Sequence, residues 1–143
     1  MIDYPLAKYN FEVEMEGFTR IGFTEVSGLD IETEVIEYRA GDFPEPSKIQ
    51  IPGMKKYGTV TLKRGMIRGD NEIYEWFQTI LDPTNRRDVQ IALLDEMREP
   101  VFIWVVSNAF VTKIASTDLK AEGNEISIES MELKGDSINI STP

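Results

Sequence analysis

The chain of 143 residues contains no cysteine and no histidine. The first absence excludes disulfides, thiol nucleophiles and thiolate metal sites. The second removes the commonest general base, the commonest zinc ligand and the usual partner in a hydrolytic triad. Any enzyme built on this sequence would have to work with carboxylates, lysine, tyrosine or serine alone. Positive charge is also scarce, with 15 Lys and Arg against 25 Asp and Glu, a formal net charge of -10. Phosphate backbones are held by clustered cations, so recognition of nucleic acid is not expected. The longest apolar run, Val101–Val106, is far short of the ~20 residues that span a bilayer, so no stable membrane insertion is expected. The first residues carry acids early and no apolar core, so they do not read as a secretory signal, and synthesis in the cytoplasm is expected.

What is present is a globular composition, 41% hydrophobic and 28% charged, in a length that suits one domain over residues 1–143. Phe11–Glu16 alternates strictly, with Phe11, Val13 and Met15 opposite Glu12, Glu14 and Glu16, as a strand with one buried and one wet face does. Gly17 to Gly41 reads as two strands, Ile21–Val26 and Ile31–Tyr38, folded back on each other through Ser27–Asp30. In the second of these the alternation slips at Val35-Ile36, which predicts a bulge or a strand buried on both sides. Ala40–Lys56 follows, with three prolines and two glycines, and reads as a long loop. Its Phe43, Ile49, Ile51 and Met54 tell against a solvated linker. They either pack back on the parent domain or dock on another subunit.

Further strands are expected over Tyr57–Met66, Val89–Leu94, Val101–Val106, Asn108–Ala115, Asn124–Leu133 and Ile138–Ile140. Val101–Val106 is apolar on both faces and needs cover on both. In Asn124–Leu133 a shift from Ile126 and Ile128 to Met131 and Leu133 suggests another bulge. One helix is expected, roughly Glu72 to Leu81. Ile73, Trp76, Phe77, Ile80 and Leu81 form a single stripe, Asp70 or Asn71 can cap it, and Asp82-Pro83 ends it. The fold class is therefore mainly β, an antiparallel sandwich or barrel of about eight strands with one flanking helix. Trp76 and Phe77 read as core packing rather than a sugar-stacking platform.

No chemistry-bearing motif is complete in the sequence. Gly65–Gly69 lacks the Lys-Ser/Thr ending of a phosphate loop, and no Asp-rich calcium loop is present. Acid pairs such as Glu32/Glu34 and Asp95/Glu96 arise by chance among 25 acids. The cations are more informative. Lys55, Lys56, Lys63, Arg64, Arg68, Arg86 and Arg87 gather in the middle third, between two acidic stretches. They are either ordinary surface charge or one of two opposed faces suited to head-to-tail assembly.

Several segments, in this order, resemble the inner-tube proteins of contractile tails: 11–41 (FEVEMEGFTRIGFTEVSGLDIETEVIEYRAG), VTLKRGM, the helix with Ile73–Trp76, RRDVQIALLDEMREPVFIWVVSNAF and NEISIESMEL. That family includes phage tail tubes and phage-tail-like injection particles, with the type VI secretion tube protein as a structural relative. The resemblance implies a non-catalytic structural subunit without a cofactor, whose copies join sheets in six-fold rings that stack into a hollow tube. Its implied partners are further copies of itself, a sheath protein, baseplate and tube-initiator proteins, and a cargo or tape-measure protein in the lumen. It assigns inter-ring contact to the first strand pair and the loop at about 40–56. The implied assembly interface is Arg39, Asp42, Phe43, Ile49, Ile51, Met54, Lys55, Lys56, Lys63, Arg64, Arg86 and Arg87. One departure is Lys134-Gly135-Asp136, where many members carry a His-Glu-Gly-like segment. Against this stand a monomeric β-sandwich binding module for carbohydrate or protein, and a carboxylate-based hydrolase.

Overall fold

The computed structural model describes residues 10–15, 22–39, 41, 49–66, 71–79, 82–116 and 127–143. Among these residues the strands are β1 (Phe11–Met15), β2 (Glu25–Ser27), β3 (Ile31–Tyr38), β4 (Ile49–Tyr57), β5 (Val60–Gly65), β6 (Arg87–Leu94), β7 (Pro100–Ser116), β8 (Ile128–Lys134) and β9 (Ser137–Ser141). The helix α1 (Glu72–Gln78) and a 3-10 turn at Pro83–Asn85 lie between β5 and β6.

The organising element is β7, 17 residues long, where the sequence suggests two separate strands. Its first half lies between β6 and β9, and its second half borders β8, which leads on to β5 and β2. All these pairings are antiparallel. One strand thus belongs to two sheet halves, β1-β6-β7-β9 and β7-β8-β5-β2, and turns the corner between them through bulges. The first bulge is at Asn108, which takes φ 51° while pairing steps from Arg87↔Ala109 to Val89↔Val106. Asn tolerates the left-handed region. Asp88 Oδ1 accepts from its backbone N–H at 3.0 Å, and its own amide donates to Asp136 Oδ2 at 2.9 Å. The second is at Thr112, the extra residue between Val111↔Leu133 and Lys113↔Glu132. The bulge expected in the Asn124–Leu133 strand is therefore on its partner, and β8 itself runs in regular register with β5.

Alternation sets the core. Val60, Leu62 and Arg64 of β5 point inward, as do Val13 and Met15 of β1 and Met131 and Leu133 of β8. Ile73 and Trp76 from α1 complete the cluster, and Trp76 Nε1 donates to the Asn85 carbonyl at 2.9 Å. The helix ends at Gln78, with Thr79 beyond it. Residues 80 and 81 of the expected stripe lie outside the described residues. Asn71 stands at the N-cap without a side-chain hydrogen bond.

Two strand assignments differ from expectation. The strands flanking Ser27–Asp30 do not pair with each other: β2 pairs β5, and β3 pairs β4. Gly28 takes φ +83°, Asp30 N–H donates to the Gly28 carbonyl, and the chain leaves the main sheet at this point. Ala40–Lys56 is not a loop throughout, because 49–57 is strand. Pro52 and Gly53 disguise it. A strand with one neighbour has a free side, where a missing N–H costs no ladder bond. Gly53 and Met54 share the bulge opposite Glu34, since Thr33↔Lys55 is followed by Val35↔Pro52. The slip read at Val35-Ile36 thus corresponds to a bulge on the facing strand. The Gly17-Phe18 turn, Ile21, Asp42, Phe43 and the Glu122–Asn124 turn lie outside the described residues. Among the described residues no helix is long and apolar enough to cross a membrane.

Candidate assembly surface

Among the described residues the hairpin β3–β4 is a two-stranded sheet of its own, not hydrogen-bonded into the seven-stranded one. Such a ribbon is marginally stable alone in water and needs a surface to pack on. Directly paired residues point to the same side. One side carries Ile31 and Tyr57, Thr33 and Lys55, Val35 and Pro52, then Glu37 and Gln50. The other carries Glu32 and Lys56 near the base, then Ile36 with Ile51 and Tyr38 with Ile49. The outer half of that second side is a run of four large apolar groups.

None of them is buried. Val35, Ile36, Tyr38, Ile49 and Ile51 keep between 42% and 60% of their surface exposed, and Met54 keeps 78%. Ile49, Ile51 and Met54 therefore do not pack back on the parent domain, and the alternative, docking elsewhere, is the one left open. Contiguous exposed apolar surface of this kind marks an interaction site. Covering such side chains stabilises by about 1.5 to 3 kcal/mol each when burial is complete. Sequence reasoning missed Val35, Ile36 and Tyr38 as part of this surface. Their signal was the broken alternation of β3, which reads equally as a bulge or as burial on both sides.

The charged candidates separate. Lys56 Nζ lies 2.8 Å from Glu34 Oε1 across the ribbon. That hydrogen bond, then the charges of Glu34 and Glu32, hold the Lys56 pKa above its ordinary 10.5. Arg39 and Lys55 are exposed on the same hairpin. Lys63 faces Glu25 of β2 at 3.7 Å on the outer side of the main sheet. Arg64 is inside: only 1% of it is exposed, its Nε donates to Glu129 Oε1 at 2.6 Å, and its guanidinium lies 5.8 Å from the Phe23 ring centre. It leaves the candidate surface, because the inward phase of β5 commits it to the protomer's own core. Arg86 stacks over Phe110 at 4.4 Å and Arg87 over Trp76 at 5.1 Å. Arg68 lies outside the described residues; the described cations are divided among the arm, the outer sheet face, the core and two aromatic stacks, and do not form one basic face. Among the described residues no group of three acidic side chains is placed to hold a metal ion.

Among the described residues, then, two bulge-linked sheet halves carry an arm whose apolar side chains stay exposed. The sequence model for the T4-like virus tail tube protein gp19 matches residues 7–139, and the chain belongs to that family. It is a tail tube protein, the type of subunit that forms the inner tube of contractile tails and injection particles. Of the solved structures, a chain in the cryo-EM structure of the anti-feeding prophage cap is 35% identical, with a TM-score of 0.88 over 100% of this chain and 95% of that one. A chain of the PVC extracellular contractile injection system, in its extended sheath–tube complex, is 32% identical with a TM-score of 0.87, covering 99% and 95%. Hcp1 of Flavobacterium johnsoniae shares the fold at 12% identity, with a TM-score of 0.56 over 93% and 95%. No curated protein sequence matches the chain.

Proposed function

We propose that this subunit closes into six-fold rings and that the β3–β4 arm of each ring docks on the adjacent ring, so that rings stack into a hollow tube. The observation that carries the reading is the arm itself, a ribbon outside the main sheet with Ile36, Tyr38, Ile49 and Ile51 exposed together. Docking would give the ribbon the second layer it lacks and remove those side chains from water. A sheath protein surrounds the tube, a baseplate and initiator proteins start it, and sheath contraction drives it through a target envelope. The particle acts outside the cell that makes it, or as part of a virion. The lumen holds cargo or a tape-measure protein. Catalysis has no part in this role, and neither does a cofactor.

The test is co-expression with sheath and baseplate proteins, followed by electron microscopy. Tubes are expected from the intact chain, and unstacked rings from a chain lacking residues 41–52. Normal tubes from the deletion would show that the arm does not join rings. An intact chain that stays monomeric in every combination would overturn the tube reading itself.

A further inference from the structure

The chain has no cysteine, so a reversible response of its side chains to oxidants falls to thioethers. It has six methionines, of which Met1 lies outside the described residues. Met15 and Met131 are buried in the core, where an oxidant reaches them when the fold opens. The other three meet solvent directly: Met54 is 78% exposed, Met97 81% and Met66 50%. Exposed thioethers are the ones that oxidants convert.

These three differ in their surroundings. Met97 stands in the turn between β6 and β7, flanked by exposed Glu96 and Arg98, where one more polar group changes little. Met66 follows the last residue of β5, and its N–H donates to the Ser127 carbonyl at 2.9 Å. Of the described methionines Met54 alone lies on the arm, in the bulge it shares with Gly53 opposite Glu34. Ile36 Cδ1 lies 3.2 Å from where a Cβ on Gly53 would stand. The bulge therefore borders the exposed apolar run of Ile36, Ile51, Tyr38 and Ile49. An unbranched thioether fills irregular gaps between packed surfaces, which suits a docking face. It is also the one apolar side chain there whose polarity oxygen transfer can change.

The step is a two-electron oxidation. The Met54 sulfur attacks one oxygen of a hydroperoxide, the O–O bond breaks and an S–O bond forms. With hydrogen peroxide, the proton of the transferred oxygen passes to the departing hydroxide, which leaves as water. Sulfur is oxidised by two electrons and the peroxide is reduced by two. The sulfoxide is polar and chiral, and burying it without a donor is unfavourable. Docking and oxidation thus oppose each other. A docked arm withdraws the thioether from the oxidant, and an oxidised arm puts a polar group where docking needs an apolar one.

We propose that Met54 is an oxidation site that gates ring stacking: a hydroperoxide converts it in subunits whose arm is undocked, and the modified arm does not dock until the oxygen is removed. This rests on the reading of the arm as the stacking element and adds that stacking answers to the redox state of one side chain.

The test treats purified chain with hydrogen peroxide and follows each methionine by peptide mass mapping. Met54 and Met97 should be converted about tenfold or more faster than Met15 and Met131. Mixed with sheath and baseplate proteins, the oxidised chain should give rings without tubes in electron microscopy. Met54→Leu treated in the same way should stack normally. Methionine sulfoxide reductases with a dithiol, which takes the oxygen off as water, should restore tubes from the oxidised wild type. In tubes assembled before peroxide is added, Met54 should be converted about tenfold or more slowly than in the unassembled chain. Tubes built from chain whose Met54 is fully converted overturn the proposal and leave the tube reading standing. So does a Met54→Leu variant that loses stacking to peroxide as the wild type does, since the effect then belongs to another methionine. Equal conversion of Met54 in tubes and in unassembled chain overturns it as well. Untreated chain that never forms tubes overturns the tube reading and the proposal together.

Discussion

Arg64 and Glu129 stand opposite each other on β5 and β8, and Arg64 Nε donates to Glu129 Oε1 at 2.6 Å in the protein interior. The side chains are 1% and 13% exposed, so the pair is shielded from the solvent that makes surface ion pairs weak. Removing one partner leaves the other charge buried. Arg64→Met alone is expected to cost about 3 to 5 kcal/mol in urea unfolding. Arg64→Met with Glu129→Leu should recover most of that loss, because two apolar groups leave no charge to desolvate. A single variant within about 1 kcal/mol of wild type would place the pair in the solvent-screened class.

Gly28 joins the main sheet to the arm and is intolerant of a side chain on two counts. Its φ is +83°, and a Cβ there would come within 2.0 Å of the Thr59 carbonyl oxygen. Gly28→Ala should cost about 2 kcal/mol or more and lower Tm by roughly 6 to 10 °C. Gly22 has nothing within 4 Å of its would-be Cβ, so Gly22→Ala should leave Tm nearly unchanged. Equal melting of the two variants in calorimetry would remove the argument for a strained junction.

The contrast between these residues shows what was legible in the sequence. Alternation around Val13, Val60 and Leu62, and the helical stripe at Ile73 and Trp76, gave the fold class and the main strands, because period reports a single buried face. Two-sided partners are not written in period. Nothing in Ile31–Tyr38 says whether it pairs forward or back. The choice rests on the left-handed Gly28 and on Pro52 falling where no ladder bond is required. Asn108 hid the continuity of β7 for a similar reason, since a left-handed Asn bulge looks like a strand end. For the assembly surface, the apolar residues of 49–54 were readable, but Val35, Ile36 and Tyr38 were not. Exposure on both faces and burial on both faces give the same adjacent apolar pair, Val35-Ile36. Lys63 and Arg64 are adjacent in sequence and opposite in fate, one outward and one inward, so charge clustering along the chain says little about charge clustering in space.

Two titrations test the polar contacts, with opposite signs. Lys56 has its folded pKa raised above 10.5 by Glu34. Its contribution to stability is complete below 10.5 and is lost as pH rises through the folded value. Glu34→Gln should bring the Lys56 pKa back toward 10.5 in a lysine side-chain NMR titration. Asp82 has its pKa lowered below 3.8, first by the Thr84 hydroxyl and then by the Thr84 backbone N–H. Its contribution is present above 3.8 and is lost as pH falls through the folded value. Thr84→Val should move the Asp82 carboxyl resonance upward in pKa. A Lys56 midpoint untouched by Glu34→Gln, or an Asp82 midpoint untouched by Thr84→Val, would remove the corresponding contact.

Ile36 and Ile51 face each other on the arm, and both are exposed in the protomer. Their value to the isolated chain is accordingly small. Ile36→Glu with Ile51→Lys is expected to change urea unfolding by no more than about 0.5 kcal/mol per site, as surface substitutions do. The same two changes place charges where an adjacent ring would bury apolar groups, so tube formation should fail in electron microscopy. Leu62→Ala supplies the opposite pattern. Leu62 is fully buried on β5, so its truncation should cost about 2 to 5 kcal/mol without altering any assembly surface. If the arm variant destabilises the monomer as much as Leu62→Ala does, the ribbon is held by its own protomer and its apolar side is not a docking face.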